Sequence, residues 1–83
     1  MGKAKRIRTF TNAVHRFRKI ETEQDLRREK LSLCDYHQVF DILSALSDID
    51  DTASETISQS VADWFIKMGF IVRNKGIGWE VTI

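Results

Sequence analysis

The sequence predicts an α+β domain in which a small set of helices packs on a C-terminal two-stranded antiparallel β-hairpin. Three observations carry that expectation. Ile57, Val61, Trp64, Phe65 and Met68 recur at i, i+4, i+7, i+8 and i+11, a single apolar stripe of an α-helix. Gly69 follows as a left-handed stop, with apolar Phe70 behind it where a helix end wants a contact. Residues 70–73 and 77–83 then flank Asn74-Lys75-Gly76, which reads as a three-residue hairpin loop with glycine at the left-handed position.

The 83 residues make one domain with a small core. Its apolar content of 42% suffices to fold, and 30% charged residues is ordinary for a soluble chain. Apolar runs are only a few residues long, so no segment is expected to span a bilayer, and the first residues lack the apolar core of a signal peptide. Cys34 stands alone, which excludes an internal disulfide and fits a reducing, cytoplasmic compartment. The net charge of +1 hides a division. Residues 1–30 hold ten Lys/Arg and four Asp/Glu, or +6, and form a basic helical arm; residues 31–83 hold three and eight, or −5, and form an acidic helix-helix-hairpin body. Such polarity is a reason to look for a polyanionic or an acidic partner.

Taken in order, residues 3–20 come first. Ile7, Phe10, Val14 and Phe17 recur at 3-4-3 spacing, with Ala13 and Ile20 at the edge of that face. Lys5, Arg8, Asn12, Arg16 and Lys19 recur nearly opposite, so the stretch reads as a basic amphipathic helix. Residues 6–11 also alternate, which fits a strand. Residues 21–30 are almost wholly polar and read as an exposed helical continuation, broken near Glu21–Thr22, with no chemical motif. Asp35, with Gln38 three residues on, is expected to cap the next helix. Tyr36, Val39, Phe40, Leu43 and Leu46 line one side of it, widened by Ile42 and Ile49. An acidic turn of Asp48, Ile49, Asp50 and Asp51 follows. Thr52 with Glu55 then matches a second capping box, so the last helix is expected to be long, at 53–68, with two or three helices before it.

Chemistry is thin. Cys34, His37 and Asp41 fall at i, i+3 and i+7, the residue types of a cysteine nucleophile with its base. They project away from the Phe40-Leu43-Leu46 stripe into solvent, whereas catalysis needs a pocket that holds angles and excludes water. No catalytic residues are assigned, and no enzyme activity is expected. Cys34 and His37 supply two metal ligands, and His15 would have to join from a distant helix with a carboxylate, so neither a metal nor a cofactor is expected. Gly76-Ile77-Gly78 is not a phosphate loop, because no helix amino terminus follows. Trp64 and Trp79 read as core.

Residues 57–81, from Ile57 through Trp64, Gly69, Arg73 and Gly78 to Val81, resemble a winged-helix DNA-binding domain, in which a helix ending in glycine runs into a hairpin wing with basic residues and glycines. The resemblance implies a winged-helix-like fold, with Thr56, Ser58, Gln59 and Ser60 facing the major groove and Arg73 and Lys75 on phosphates. Asp48, Asp50, Asp51 and Glu55 set four carboxylates at the start of that helix, so the phosphate-binding face is expected on residues 3–19 instead.

Two functions therefore stand. The first is a non-catalytic binder of nucleic acid or a nucleoprotein, with phosphate contacts from Lys5, Arg8, Arg16 and Lys19, flanked by Lys3, Arg6 and Arg18, and from Arg73 and Lys75 in the hairpin loop. Weak sequence preference is expected of it. The alternative is a phage-type inhibitor or adaptor docking on a host nucleic-acid enzyme, an anti-CRISPR protein for example, with Asp48, Asp50, Asp51 and Glu55 in a groove that normally holds phosphates. A homodimer mating the acidic body to the basic arm is a third option. A membrane partner is not expected, because the apolar face of the first helix is short and lacks Trp.

Overall fold

The computed structural model describes the backbone of residues 3–48, 52–76 and 78–82, and the side chains of residues 7–47, 56–76 and 78–82. Three helices lead: α1 Lys3–Arg18, α2 Glu23–Glu29 and α3 Leu33–Asp48. They are followed by β1 Thr52–Glu55, α4 Gln59–Lys67, β2 Ile71–Asn74 and β3 Trp79–Thr82. The fold is the expected α+β domain with an antiparallel hairpin at its C-terminal end, and residues 6–11 are helical.

Local capping chemistry explains where the helices start and stop. After α1 the amides of Lys19 and Ile20 close tight turns on the carbonyls of Arg16 and Phe17, at 3.2 and 3.1 Å. The next two amides, of Glu21 and Thr22, donate instead to Asp25 Oδ2 at 3.0 and 3.2 Å, while Thr22 Oγ1 accepts from the Asp25 amide. That capping box ends one helix and opens another, which is the break expected near Glu21–Thr22. A second box opens α3: Ser32 Oγ accepts from the Asp35 amide at 3.1 Å, and Asp35 Oδ2 from the Ser32 amide at 3.0 Å. Asp35 is thus the third helical residue, closing the box, rather than the cap, and α3 starts three residues earlier than expected.

The expected long helix at 53–68 is shorter. It runs Gln59–Lys67 with Ser58 as its cap, Oγ accepting from the Val61 amide at 3.2 Å. Thr52–Glu55 is a strand, its residues paired with Thr82, Val81, Glu80 and Trp79 in turn. Thr52-x-x-Glu55 satisfies the capping pattern, but β3 offers it a ladder of backbone hydrogen bonds, and pairing across the chain overrides the local signal. The sheet order is β1-β3-β2, so β3 is central and Val81 is fully buried.

At its far end α4 stops as the sequence predicts. Gly69 has φ +100°, its amide donates to the Ile66 carbonyl and that of Phe70 to the Phe65 carbonyl, both at 3.0 Å. The Phe65 and Phe70 rings meet edge to face at 5.0 Å, the apolar contact of a Schellman motif. In the hairpin, Asn74 pairs with Trp79, so the connection spans residues 75–78, one residue longer than the expected loop. The Lys75 amide donates to the Gly78 carbonyl at 2.8 Å, and Asn74 Oδ1 accepts from the Gly76 amide, also at 2.8 Å.

The core gathers Ala13 and Phe17 of α1, Val39, Ile42, Leu43 and Leu46 of α3, Val61, Ala62, Trp64 and Phe65 of α4, and Val81 of β3. Trp64 is buried as predicted, and Trp79 is half-buried against the same core. Phe40 departs from expectation: it belongs to the apolar stripe of α3 yet is 54% exposed.

Candidate nucleic-acid interface

Helix α1 carries no carboxylate, and His15, Arg16 and Arg18 stand in its last turn, where the helix dipole favours cations. With Ala13 and Phe17 buried, the opposite side holds Arg8, Asn12, His15 and Lys19, all exposed. The sequence-predicted basic residues divide once tertiary contacts are considered.

Arg16 is withdrawn from the free set. Its Nε lies 2.8 Å from Glu29 Oε1, and Trp64 Nε1 donates to the same oxygen at 2.9 Å. One carboxylate thus joins α1, α2 and α4. Burial by itself would raise the Glu29 carboxyl, but the hydrogen bonds from Arg16 and Trp64 outweigh it and hold the group below the ordinary carboxylate range. The Glu29 hydrogen bond correspondingly raises the Arg16 guanidinium. Neither Glu29 nor the clasp was legible in a polar stretch without a motif, because both partners are distant in sequence.

Between α1 and α2 lies an open cleft of about 510 Å³, lined by Asn12, His15, Arg16, Lys19, Arg28 and Glu29 among others. Arg28 reaches Asp25 Oδ1 at 3.4 Å. The Asp25 carboxyl is lowered, chiefly by the backbone hydrogen bond from Glu21. Among the described residues no carboxylate lies within ion-pair distance of Arg8, Arg18 or Lys19. Arg18, however, is on the other flank of α1, beside Phe10, Val14 and Phe40. Lys3, Lys5 and Arg6 lie in the first turns of α1, with Lys5 one turn before Arg8; their side chains are outside the described residues.

The remaining predicted positions scatter. Arg73 and Lys75 are exposed in the hairpin, where Lys75 Nζ is 4.0 Å from Glu80 Oε1 and Arg73 faces Glu80 across the strands. Of the residues that the winged-helix resemblance would aim at a groove, Ser58 is engaged as the α4 cap and its hydroxyl donates to Asp35 Oδ1 at 2.7 Å. Gln59 Nε2 donates to Asp63 Oδ1 at 2.9 Å, and Thr56 and Ser60 are exposed. Asp50 and Asp51 lie outside the described residues; Asp48 ends α3 and Glu55 ends β1, and their side chains are likewise outside them.

Cys34, His37 and Asp41 are exposed, as the helical wheel of α3 predicts. Among the described residues no three His, Cys, Asp or Glu side chains come together as a metal site, and no helix is long and apolar enough to cross a membrane. Comparison with protein-family models, with curated proteins and with solved structures found no match.

Proposed function

We propose that the protein is a non-catalytic, cytoplasmic binder of nucleic acid or a nucleoprotein, acting through the solvent face of α1. The observation that supports this is the pair Arg8, on the carboxylate-free α1, and Lys19, in the turn directly after it, both exposed and without an ion-pair partner among the described residues. Eleven residues separate them, about 16 Å along a helix axis, enough to reach phosphates several nucleotides apart. Lys5 extends the row by one turn towards the amino end. Arg16 has a structural role in this reading, and Arg73, opposite Glu80 in the hairpin, and Lys75, paired with Glu80, are secondary. Side chains that contact phosphates hold a duplex or strand without reading it, so sequence preference is weak.

Titration of labelled duplex and single-stranded DNA and RNA tests the proposal. Binding should weaken steeply with salt, and reversing Arg8 and Lys19 to Glu should remove close to one unit of the log–log salt slope per lost phosphate contact, about 0.9 on duplex DNA. Retention of all four nucleic acids by the doubly reversed variant, at unchanged salt slope, would overturn it. If the native chain binds none of them, the protein-directed reading through Asp48, Asp50, Asp51 and Glu55 takes its place.

A further inference from the structure

Beside α1 and α3 the apolar surface continues outward from the core, where Leu33 and Phe40 are left uncovered. Leu33 is 64% exposed and Phe40 54% exposed, two helical turns apart on α3 with Tyr36 between them. Buried Phe17 of α1 stacks on Tyr36 at 4.6 Å and lies tilted against Phe40 at 6.3 Å, so the half-buried Tyr36 and the exposed Phe40 rest on one ring beneath them. A groove opens on each side of Tyr36. One, of about 520 Å³, runs between α1 and α3 past Phe10, Val14 and Phe40. The other, of about 750 Å³, lies over Ile20, Leu26, Leu31 and Leu33. Their charges are opposite. Arg18 lines the first, with no carboxylate in its walls, and Glu21 and Glu23 line the second, where Arg27 is 3.6 Å from Glu23.

We propose that this face pairs with a second copy of the same chain about a two-fold axis near Tyr36. In such an interface each surface meets itself turned through half a revolution, so whatever lies on one side of the axis faces what lies on the other. A patch with like charges on both flanks would repel its own copy. Here Arg18 of one copy is carried towards Glu21 and Glu23 of the other, twice over, while Leu33, Tyr36 and Phe40 form the apolar centre. An exposed phenylalanine and leucine on either side of a half-buried tyrosine, with charges around them, are the composition of an interface centre rather than of ordinary solvent-facing surface. A stable pairing buries about 800 Å² per partner. That is near a seventh of the 5705 Å² surface of this chain. Nothing in this depends on nucleic acid, since none of Leu33, Tyr36, Phe40, Arg18, Glu21 and Glu23 carries the proposed phosphate contacts.

Sedimentation of the full chain over a wide concentration range tests the pairing. The native chain should be a dimer whose dissociation constant rises with salt, as charge pairs at a rim are screened. Phe40→Asp should weaken association by about thirtyfold or more, since a central anchor is removed at two symmetric places. Arg18→Glu, and separately Glu21→Arg with Glu23→Arg, should each be monomeric alone, with unchanged circular dichroism because all three side chains are exposed. Mixed together, the two charge-reversed variants should form a one-to-one heterodimer, because opposite charges again meet at both contacts. A native chain that stays monomeric would overturn the proposal. So would a dimer indifferent to Phe40→Asp, or charge-reversed variants that fail to recognise each other.

Discussion

Glu29 shows how much one side chain decides in a domain of this size. A single oxygen accepts from Arg16 and from Trp64, so removing it unties α1 and α4 from α2 together. Glu29→Ala should cost about 2 kcal/mol, the value of hydrogen bonds to a charged group discounted for the half-exposed Arg16, and lower Tm by roughly 10 °C. The pH dependence follows from the depressed carboxyl. Its contribution is complete above the unfolded glutamate value of about 4.3 and is lost as pH falls through the folded value below it. Chemical denaturation between neutral pH and about pH 3 should therefore show stability falling on acidification, with a shallower fall in Glu29→Gln. Asp35 belongs to the same acid-labile set. Burial would raise it, but hydrogen bonds from the Ser32 amide, the Ser58 hydroxyl and Ser32 together hold it low. Ser58→Ala removes the α4 cap and one of those donors at once, an expected loss of about 2 kcal/mol measurable by urea titration.

Among the elements, the ends of α4 contrast what is local with what is not. Gly69 and Phe70 were legible because a Schellman stop is written within six residues. Gly69→Ala separates two costs: a Cβ there would sit 3.7 Å from Thr9 Cγ2, an ordinary contact, so only the left-handed backbone at φ +100° is penalised. The expected loss is about 1–2 kcal/mol by thermal unfolding, and appreciably more would show that Thr9 cannot accommodate a methyl group. The start of the helix departs from expectation because Thr52-x-x-Glu55 has the letters of a capping box but pairs as β1. Its four small and polar residues carry no strand signal, and only the edge of β3 makes them a strand. Since β3 pairs on both sides, its amides should exchange with solvent more slowly than those of β1 and β2, which hydrogen-exchange rates will test.

For the molecule as a whole, the core is small enough that one substitution competes with the entire stability. A domain of this length has about 4–12 kcal/mol in hand, and deleting a fully buried Phe ring costs about 3–5 kcal/mol. Phe65→Ala, at the meeting of Trp64, Phe70 and the sheet, should leave a partly or wholly unfolded chain by near-ultraviolet circular dichroism. At this scale the charge division of the chain acquires a geometry. The α1 flank with Arg8 and Lys19 is proposed for phosphates, and the flank with Arg18 for a second copy. Neither assignment follows from net charge, because Arg16 lies in the same helix and is already paired.

By itself the sequence determined whatever depends on neighbours within about one helical turn to a short hairpin: the apolar stripes of α1, α3 and α4, the glycine stop at Gly69, the turn around Gly76 and the solvent exposure of Cys34, His37 and Asp41. Tertiary structure alone decided that Thr52–Glu55 joins the sheet, that Arg16 serves Glu29, and that Phe40 stays at the surface. The reason is physical. Periodicity and caps are set by backbone geometry that each segment carries with it, whereas a hydrogen bond between residues 13 or 35 positions apart exists only once the whole chain has brought its ends together.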